Sequence, residues 1–261
     1  MPPSDPLALA PPPGRRIAVV GGAGGIGRVL VARLAQGGCR VAVLDMAASL
    51  ARFEAPPDVL AHPVDVTDEA SVEAGFAGVD GRFGGLDGLV NLAGFTAARQ
   101  PVGEISAATW RAVLDANLDG TFLTCRAALP LLHRGEDAAI VNTSSGLALK
   151  PTPGYGPYAA AKAGVLALTR LLAQENAPRV RVNAVAPSAV DTPFLRGGTG
   201  RGGDADGAGP RLDLDAYLRT IPLARLAEPA DVVGPILFLL GPASAYVTGQ
   251  TLHVNGGLLM P

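Results

Sequence analysis

Cysteine and histidine are scarce in this 261-residue chain. The two cysteines, Cys39 and Cys125, lie far apart in apolar surroundings and lack the spacing of metal ligands, which favours reduced thiols with a structural role. The histidines, His62, His133 and His253, show no ligand spacing either. We therefore predict no metal site and assign these five residues no chemistry.

Charge and long apolar runs are also limited. Charged residues make up 17% of the chain and the formal net charge is -2, so no broad basic surface for nucleic acid is expected. No apolar run reaches the length that spans a bilayer, and the N-terminus lacks the charged segment and apolar run of a secretory signal. We therefore expect a cytoplasmic protein that binds neither nucleic acid nor membrane, with small molecules or copies of itself as partners.

Apolar residues are abundant, at 48%, which suits a sheet buried on both faces. Strand-like runs alternate with helical patterns from Arg16 almost to the C-terminus, which predicts an α/β fold of βαβ units with a parallel sheet. Residues 1–14, rich in proline, are predicted to form a flexible tail ahead of a single domain at 15–261. Seven strands are predicted, at residues 17–20, 40–45, 59–65, 86–91, 138–143, 180–185 and 251–254.

A glycine-rich turn at residues 21–27 joins the first strand to the first helical pattern. Glycines at such a junction let the backbone approach a pyrophosphate closely, and the helix N-terminus supplies free N–H groups. The second strand ends in Asp45, about 20 residues past the turn, where a carboxylate typically binds an adenosine ribose. A carboxylate repels a 2′-phosphate, and Gly24 and Met46 offer no cation nearby, so NAD is predicted over NADP. An ordinary solvated aspartate at a strand end is the alternative.

Other residues near strand ends are candidates for the same cofactor site. Asp65, at the end of the third strand, is a candidate adenine contact, and Thr67 or Asp68 can cap the helix that follows. The small residues Ala93 and Gly94, after the fourth strand, leave space for a cofactor.

One amide and one loop stand out in the rest of the chain. Asn117 interrupts an apolar helix face, and because a buried amide needs partners it is interpreted as a structural knot or as a residue that positions a catalytic water. A glycine-rich segment at about 195–212 is interpreted as a mobile substrate lid or, equally, as a disordered insertion. The apolar face is predicted to lie in the core or at a subunit contact, and it consists of Trp110, Val113, Leu114, Leu118, Phe122 and Leu123.

Tyr158 and Lys162 stand one helical turn apart and therefore share a helix face. An ammonium close to a phenol favours the phenolate, which lowers the pKa of the tyrosine towards the range of a general acid–base. The spacing alone occurs by chance in many helices, so its support comes from the rest of the chain.

Taken together, these motifs resemble the short-chain dehydrogenase/reductase family over residues 15–260. The resemblance implies a Rossmann-type three-layer α/β/α sandwich with a central seven-stranded parallel sheet, an NAD(P) cofactor and a homotetramer or homodimer. The family's glycine motif matches Gly21, Gly25 and Gly27, and its Asn-Asn-Ala-Gly motif matches residues 91–94. Three departures, at Val20, Leu92 and Ser188, bear on cofactor affinity and loop rigidity rather than on the reaction type.

The resemblance also implies catalytic roles for Asn117, Ser145, Tyr158 and Lys162. Ser145, rather than Ser144, stands at the family's usual interval before Tyr158, and it would bind the substrate oxygen. Tyr158 would transfer the proton, Lys162 would lower the tyrosine pKa and hold the nicotinamide ribose, and Asn117 would anchor a water. The cofactor-binding residues implied are Gly21, Gly24, Gly25, Ile26, Gly27, Asp45, Met46, Asp65, Val66, Asn91, Ala93, Gly94, Tyr158, Lys162, Pro187, Ser188, Val190 and Thr192.

The function implied is that of an NAD-dependent oxidoreductase that interconverts a secondary alcohol and a ketone. Its substrate would contact Ser145 and Tyr158, and a largely apolar pocket suggests a hydrophobic or alicyclic body. Two alternatives are an NADP-dependent ketoreductase of 3-oxoacyl thioesters or polyketides, and a catalytically silent dinucleotide-binding module. The remaining pocket residues are predicted to be Phe95, Leu147, Tyr155, Phe194 and Leu195.

Overall fold

The computed structural model describes residue 5 and residues 7–198 and 212–261. A parallel sheet of seven strands forms its centre, in the order β3-β2-β1-β4-β5-β6-β7. The predicted α/β fold of Rossmann type is therefore confirmed. The strands are β1 Arg16–Val20, β2 Arg40–Asp45, β3 Leu60–Pro63, β4 Gly88–Asn91, β5 Ala138–Thr143, β6 Val180–Pro187 and β7 Thr251–Val254.

Helices cover both faces of the sheet because alternate strand residues point to opposite sides. Ala18 and Val20 of β1 belong to one buried core, whereas Ile17 and Val19 belong to the other. Helices α3, α5 and α6 pack on the first core, and α1 and α8 pack on the second. The α-helices of the described residues are α1 Gly25–Gln36, α2 Ala47–Leu50, α3 Glu69–Phe83, α4 Ala107–Leu114, α5 Gly120–Leu132, α6 Gly156–Asn176, α7 Leu214–Leu218 and α8 Pro229–Leu240.

The strand order reverses between β1 and β4. From β1 the chain proceeds outward through β2 to β3, and from β4 it proceeds the other way through β5 and β6 to β7. Val20, at the end of β1, pairs with Leu44 on one side and with Asn91 on the other. The helices on opposite faces diverge at such a point, so a crevice forms at the carboxyl ends of the strands and ligands bind there.

A π-helical turn, Asp115–Asp119, separates α4 from α5. One π turn holds an extra residue, so it rotates the side chains that follow relative to those before it. Val113 is buried accordingly, but Phe122 is 45% exposed. The π turn therefore interrupts the predicted apolar face: Val113 lies in the core, and the exposed Phe122 remains available for the predicted subunit contact.

The predicted tail and lid have different outcomes. Ala8 accepts a hydrogen bond from the Ala243 N–H at 3.2 Å, Pro11 is buried, and the Gly14 N–H donates to Gly38 at 2.8 Å. Residues 8–14 are thus part of the packed structure rather than a free tail.

The predicted lid at 195–212 lies for most of its length outside the described residues. No helix within the described ranges is both long and apolar enough to cross a membrane.

Candidate active site

A cavity of about 640 Å³ opens at the carboxyl ends of the strands, over the point between β1 and β4 where the strand order reverses. It is bordered by the segments that follow all seven strands, and the predicted site residues come from those after β1 through β6. Every predicted cofactor, catalytic and substrate residue except Asn91 lines this cavity. The structure therefore brings residues from six strand ends into one site.

The glycine-rich turn forms the side of the cavity next to β1. Gly21 has a φ of +79°, and a Cβ atom there would lie 2.6 Å from the backbone nitrogen of Ala93, so only glycine fits. Helix α1 begins at Gly25, and no described side chain caps its first turn. The N–H groups of that turn lack a side-chain acceptor and face the cavity as donors for an anion.

Asp45 ends β2 at the edge of the cavity, next to the glycine turn. Its carboxylate accepts hydrogen bonds from the N–H groups of Ala23, at 2.9 Å, and Met46, at 2.8 Å, and it is also hydrogen-bonded to Ser49. Burial raises the pKa of Asp45, and these hydrogen bonds act in the opposite direction. The carboxylate is thus fixed beside the turn, where a ribose contact was predicted.

Two arginines near Asp45 were missed in the sequence. Arg28, in α1, donates from Nη2 to the Ala23 carbonyl at 3.0 Å, and Arg52 follows α2; both line the cavity. The expectation that no cation lies near Asp45 is therefore wrong, because these side chains reach the cavity from other turns of the chain. Guanidinium groups suit a 2′-phosphate, so the local sequence around Asp45 does not decide between NAD and NADP.

Asp65 borders the same end of the cavity and shapes its own turn. Its Oδ1 accepts hydrogen bonds from the N–H of Thr67, at 3.0 Å, and from the Thr67 hydroxyl, at 2.7 Å. Because the Thr67 hydroxyl is used in this way, Asp68 caps α3 instead and accepts from the Ala70 N–H at 3.0 Å. Val66 lies beside Asp65 in the cavity wall.

The side chain of Asn91 does not line the cavity, contrary to the prediction that it binds the cofactor. Its side chain is buried under the sheet, where Nδ2 donates to Asn142 Oδ1 at 2.9 Å and to Cys125 Sγ at 3.3 Å. Its Oδ1 accepts from the Thr124 hydroxyl at 2.9 Å. Since consecutive strand residues point to opposite faces, it is Leu92 that lines the cavity. Asn91 therefore ties β4 to β5 and α5 and does not offer its side chain to a cofactor.

Asn117 lies fully buried in the π turn, at the edge of the cavity. Its Nδ2 donates to the carbonyls of Phe95 and Val113, each at 2.8 Å. Its Oδ1 has no hydrogen-bond partner among the described residues. Both interpretations made from the sequence have support here, because the amide nitrogen ties backbone segments together while the oxygen remains an acceptor.

Ser145, Tyr158 and Lys162 meet in the middle of the cavity wall. β5 leads to Ser145, and α6 begins two residues before Tyr158. The Ser145 hydroxyl is hydrogen-bonded to the Tyr158 phenol. Lys162 Nζ lies 5.5 Å from the centroid of the Tyr158 ring and donates to the Thr143 carbonyl at 2.9 Å. The three predicted catalytic side chains therefore lie next to one another in the cavity wall.

The electrostatics of this group differ from the sequence expectation. Burial raises the pKa of Tyr158, and the hydrogen bond to Ser145 offsets this only in part. Burial also lowers the pKa of Lys162 to about 8. The sequence predicts that Lys162 lowers the pKa of Tyr158; in the protein by itself, burial of the phenol acts in the opposite direction and prevails. What the pair does gain is a lysine that can exchange its proton near neutral pH.

The segment after β6 forms a further part of the cavity wall. The Ser188 N–H donates to the Val254 carbonyl at 3.1 Å, and the Thr192 hydroxyl donates to the Val190 carbonyl at 3.3 Å. Tyr217 of α7 was missed in the sequence; its hydroxyl accepts from the Ala189 N–H at 3.0 Å, which holds α7 over the cavity. Pro187, Ser188, Val190 and Thr192 all face the cavity, as predicted.

The substrate end is apolar, with two cations that were not predicted. Phe95, Leu147, Tyr155, Phe194 and Leu195 line it, as expected from the sequence. The Phe194 and Tyr158 rings pack with their centroids 5.9 Å apart. Further residues that line the cavity and were missed carry no local motif: Arg99 and Lys150 lie in loops, and Leu258 and Leu259 lie near the C-terminus.

A nicotinamide dinucleotide fits the residues present. The glycine turn permits close backbone approach, and the start of α1 offers uncapped N–H donors. Two buried oxygens in the cavity wall, Asn117 Oδ1 and Thr143 Oγ1, lack partners among the described residues. Unpartnered buried polar atoms of this kind are expected where a ligand or ordered water completes the site.

Comparison with known proteins agrees with this geometry. A family model described as enoyl-(acyl carrier protein) reductase matches residues 21–259. The chain is 37% identical to a 2,5-dichloro-2,5-cyclohexadiene-1,4-diol dehydrogenase of Sphingobium indicum, over 94% of this chain and 96% of that protein. It is 36% identical to a 3-oxoacyl-[acyl-carrier-protein] reductase of Staphylococcus aureus, over 93% of this chain and 97% of that protein.

A solved structure shares the fold. It is that of a 3-ketoacyl-(acyl-carrier-protein) reductase from Brucella melitensis complexed with NADH. The TM-score is 0.84 at 28% identity, over 95% of this chain and 99% of that chain. The chain therefore belongs to the short-chain dehydrogenase/reductase family and is an oxidoreductase that acts on CH–OH groups.

Proposed function

We propose that the protein interconverts a secondary alcohol and a ketone with NAD as preferred cofactor and Tyr158 as general acid–base. The observation that carries the proposal is the meeting of Ser145, Tyr158 and Lys162 in the wall of a cavity that also contains the uncapped start of α1. A bound nicotinamide supplies two-electron transfer to or from the substrate carbon. The proton must be handled by the protein.

The hydrogen bonds support a distinct part for each side chain in that proton transfer. The Leu147 N–H donates to Ser145 Oγ at 3.2 Å, which leaves the serine proton for the substrate oxygen or for the Tyr158 phenol. Tyr158 gives its proton to a ketone oxygen or takes one from an alcohol. Lys162, with a pKa of about 8, restores the tyrosine, and Asn117 Oδ1 can hold a water on the way to solvent.

The preference for NAD rests on Asp45. Its carboxylate is fixed beside the glycine turn by two backbone N–H groups, where it would accept hydrogen bonds from ribose hydroxyls and repel a phosphate. Arg28 and Arg52 work against this preference, but Arg28 already donates to the Ala23 carbonyl. We expect NADP to bind more weakly rather than to be excluded.

A second candidate is the NADP-dependent reduction of 3-oxoacyl thioesters. It is favoured by Arg28 and Arg52 in the cofactor half of the cavity and by the likeness to the Staphylococcus aureus reductase. The reaction centre would be the same, so the two candidates differ only in cofactor and in the body of the substrate.

A substrate panel tests the proposal directly. Cyclic and linear secondary alcohols, their ketones and a 3-oxoacyl thioester are assayed at the absorbance of reduced nicotinamide, with NAD(H) and NADP(H) in parallel. We expect turnover of a cyclic substrate with a higher kcat/KM for NAD(H). Turnover confined to the thioester with NADPH would favour the second candidate, and no turnover in any combination would refute both.

We also propose a cytoplasmic protein that forms a homotetramer or homodimer. The location rests on the two free thiols, and the assembly rests on exposed apolar side chains of α5, α6 and β7, namely Phe122, Leu171 and Leu252. Light scattering on the purified protein gives the mass in solution. A monomer at all micromolar concentrations would contradict the proposed assembly.

A further inference from the structure

Two cations stand at the substrate end of the cavity, and the proposed proton transfer uses neither. Arg99 lies in the loop after β4, and Lys150 lies in the loop after β5; both are exposed and both line the cavity. Neither forms a salt bridge with any residue in the described ranges. The described acids that line the cavity, Asp45 and Asp65, lie at the ends of β2 and β3, in its cofactor half. Among the described residues, the substrate end therefore has positive charge without a counter-charge.

Arg99 is held in place by the loop that precedes α6. Its Nη2 donates to the Pro153 carbonyl at 3.1 Å, and its guanidinium lies 5.2 Å from the centroid of the Tyr155 ring. Gly154 permits this approach, since a Cβ on it would lie 3.1 Å from Arg99 Cβ and its φ is +94°. One of five N–H donors is used in this contact, which leaves a planar fork for an oxyanion.

Lys150 is held by the turn that follows Ser145. Its N–H donates to the Gly146 carbonyl at 3.0 Å, at the end of the short turn that begins after Ser145. The chain has only two lysines, Lys150 and Lys162, and both line this cavity. Lys150 follows the turn that begins after Ser145, and Arg99 packs on Tyr155, directly before α6, so both cations border the cavity that also holds Ser145 and Tyr158.

We propose that Arg99 and Lys150 bind an anionic group on the substrate, a carboxylate or a phosphate ester carried by an otherwise apolar alcohol or ketone. The proposal rests on the proposed function because it names the substrate class of the same site. Arginine binds either oxyanion through two parallel hydrogen bonds, and the apolar walls formed by Phe95 and Leu147 suit the rest of the molecule.

Matched ligands test the inference by binding alone. 4-Oxocyclohexanecarboxylate, its methyl ester and the phosphate monoester of 4-hydroxycyclohexanone are titrated calorimetrically into protein saturated with NAD+, which cannot reduce a ketone. We expect an anion to bind about tenfold or more tightly than the ester. The tighter of the two anions identifies the group as carboxylate or phosphate.

Variants localise the effect. The double variant Arg99→Gln, Lys150→Gln is expected to lose the tenfold preference and to bind the ester unchanged. Arg33→Gln removes one positive charge from an exposed position of α1 outside the cavity and should alter the affinity of neither ligand. Equal affinity for anion and ester in the wild type, no binding of either anion, or an equal loss of ester binding in the double variant would overturn the inference.

Turnover separates this inference from the proposed function. Anion binding without oxidation or reduction under any condition would contradict the proposed function and leave the anion site standing. Turnover of the ester, with no advantage for the anions, would contradict the anion site alone.

Discussion

Replacing Lys162 with methionine should make the stability of the protein less dependent on pH while abolishing turnover. Lys162 is 3% exposed, and burial lowers its pKa from 10.5 to about 8. Keeping a protonated lysine there at pH 7 therefore costs about 3 kcal/mol relative to the unfolded chain. Since the unfolded state binds more protons between these two pKa values, the wild type gains stability as the pH rises through this range. The methionine variant lacks that gain.

The size of the effect depends on one hydrogen bond. The methionine variant avoids the cost of the buried charge, but it also loses the hydrogen bond from Nζ to the Thr143 carbonyl at 2.9 Å. That loss destabilises the variant by about 1–3 kcal/mol at any pH. The quantity to compare is therefore the change in relative stability with pH. The stability of the variant minus that of the wild type should fall by about 2 kcal/mol between pH 7 and pH 10.

Urea unfolding measures this difference. The tryptophan fluorescence of Trp110, the only tryptophan in the chain, and circular dichroism are followed at fixed protein concentration at both pH values. Lys150→Met, at an exposed position, is the control and should change stability by less than about 0.5 kcal/mol at either pH. A relative stability of Lys162→Met that is the same at pH 7 and pH 10 would refute the buried, proton-exchanging lysine.

Three further predictions concern the cofactor site and the thiols. Asp45→Ala should lower the ratio of kcat/KM for NAD to that for NADP by about tenfold, and an unchanged ratio would exclude Asp45 as the selector. Gly21→Ala should lower the free energy of unfolding by at least about 1 kcal/mol in urea, whereas Gly81→Ala, in open space on α3, should not; equal effects would contradict the steric account. Burial raises the pKa of Cys39 to about 11 and that of Cys125 to about 12, so both should react with Ellman's reagent at pH 8 at least about 100-fold more slowly than a free thiol, and Cys125 more slowly than Cys39. A rapid reaction of either thiol in the native protein would show that it is less buried than described.

The sheet could be predicted because its strands are continuous apolar runs separated by glycine and by helical patterns. The bounds of β2, β5 and β7 agree with the prediction, and β3 and β4 are shorter at their ends. The π turn could not be predicted, because a single extra residue leaves no mark on composition, yet it interrupts the predicted apolar helix face.

Site residues that belong to a local motif could be predicted from the sequence, whereas residues that reach the site only through long-range contacts could not. The glycine turn and the Tyr158–Lys162 spacing are local, and they lie in the cavity as expected. Arg28 and Arg99 reach the cavity from segments that carry no motif. The pKa of Tyr158 was misjudged for a related reason. Spacing along a helix gives the neighbours of a side chain, whereas burial depends on the whole fold.

The most direct test of the reaction centre is Tyr158→Phe. The substitution removes one hydroxyl and keeps the ring that packs against Phe194. We predict that turnover of the best substrate in the panel falls by about 1000-fold, while the dissociation constant for NAD, measured by titration calorimetry, stays nearly unchanged. Undiminished turnover would contradict the assignment of Tyr158 as the general acid–base.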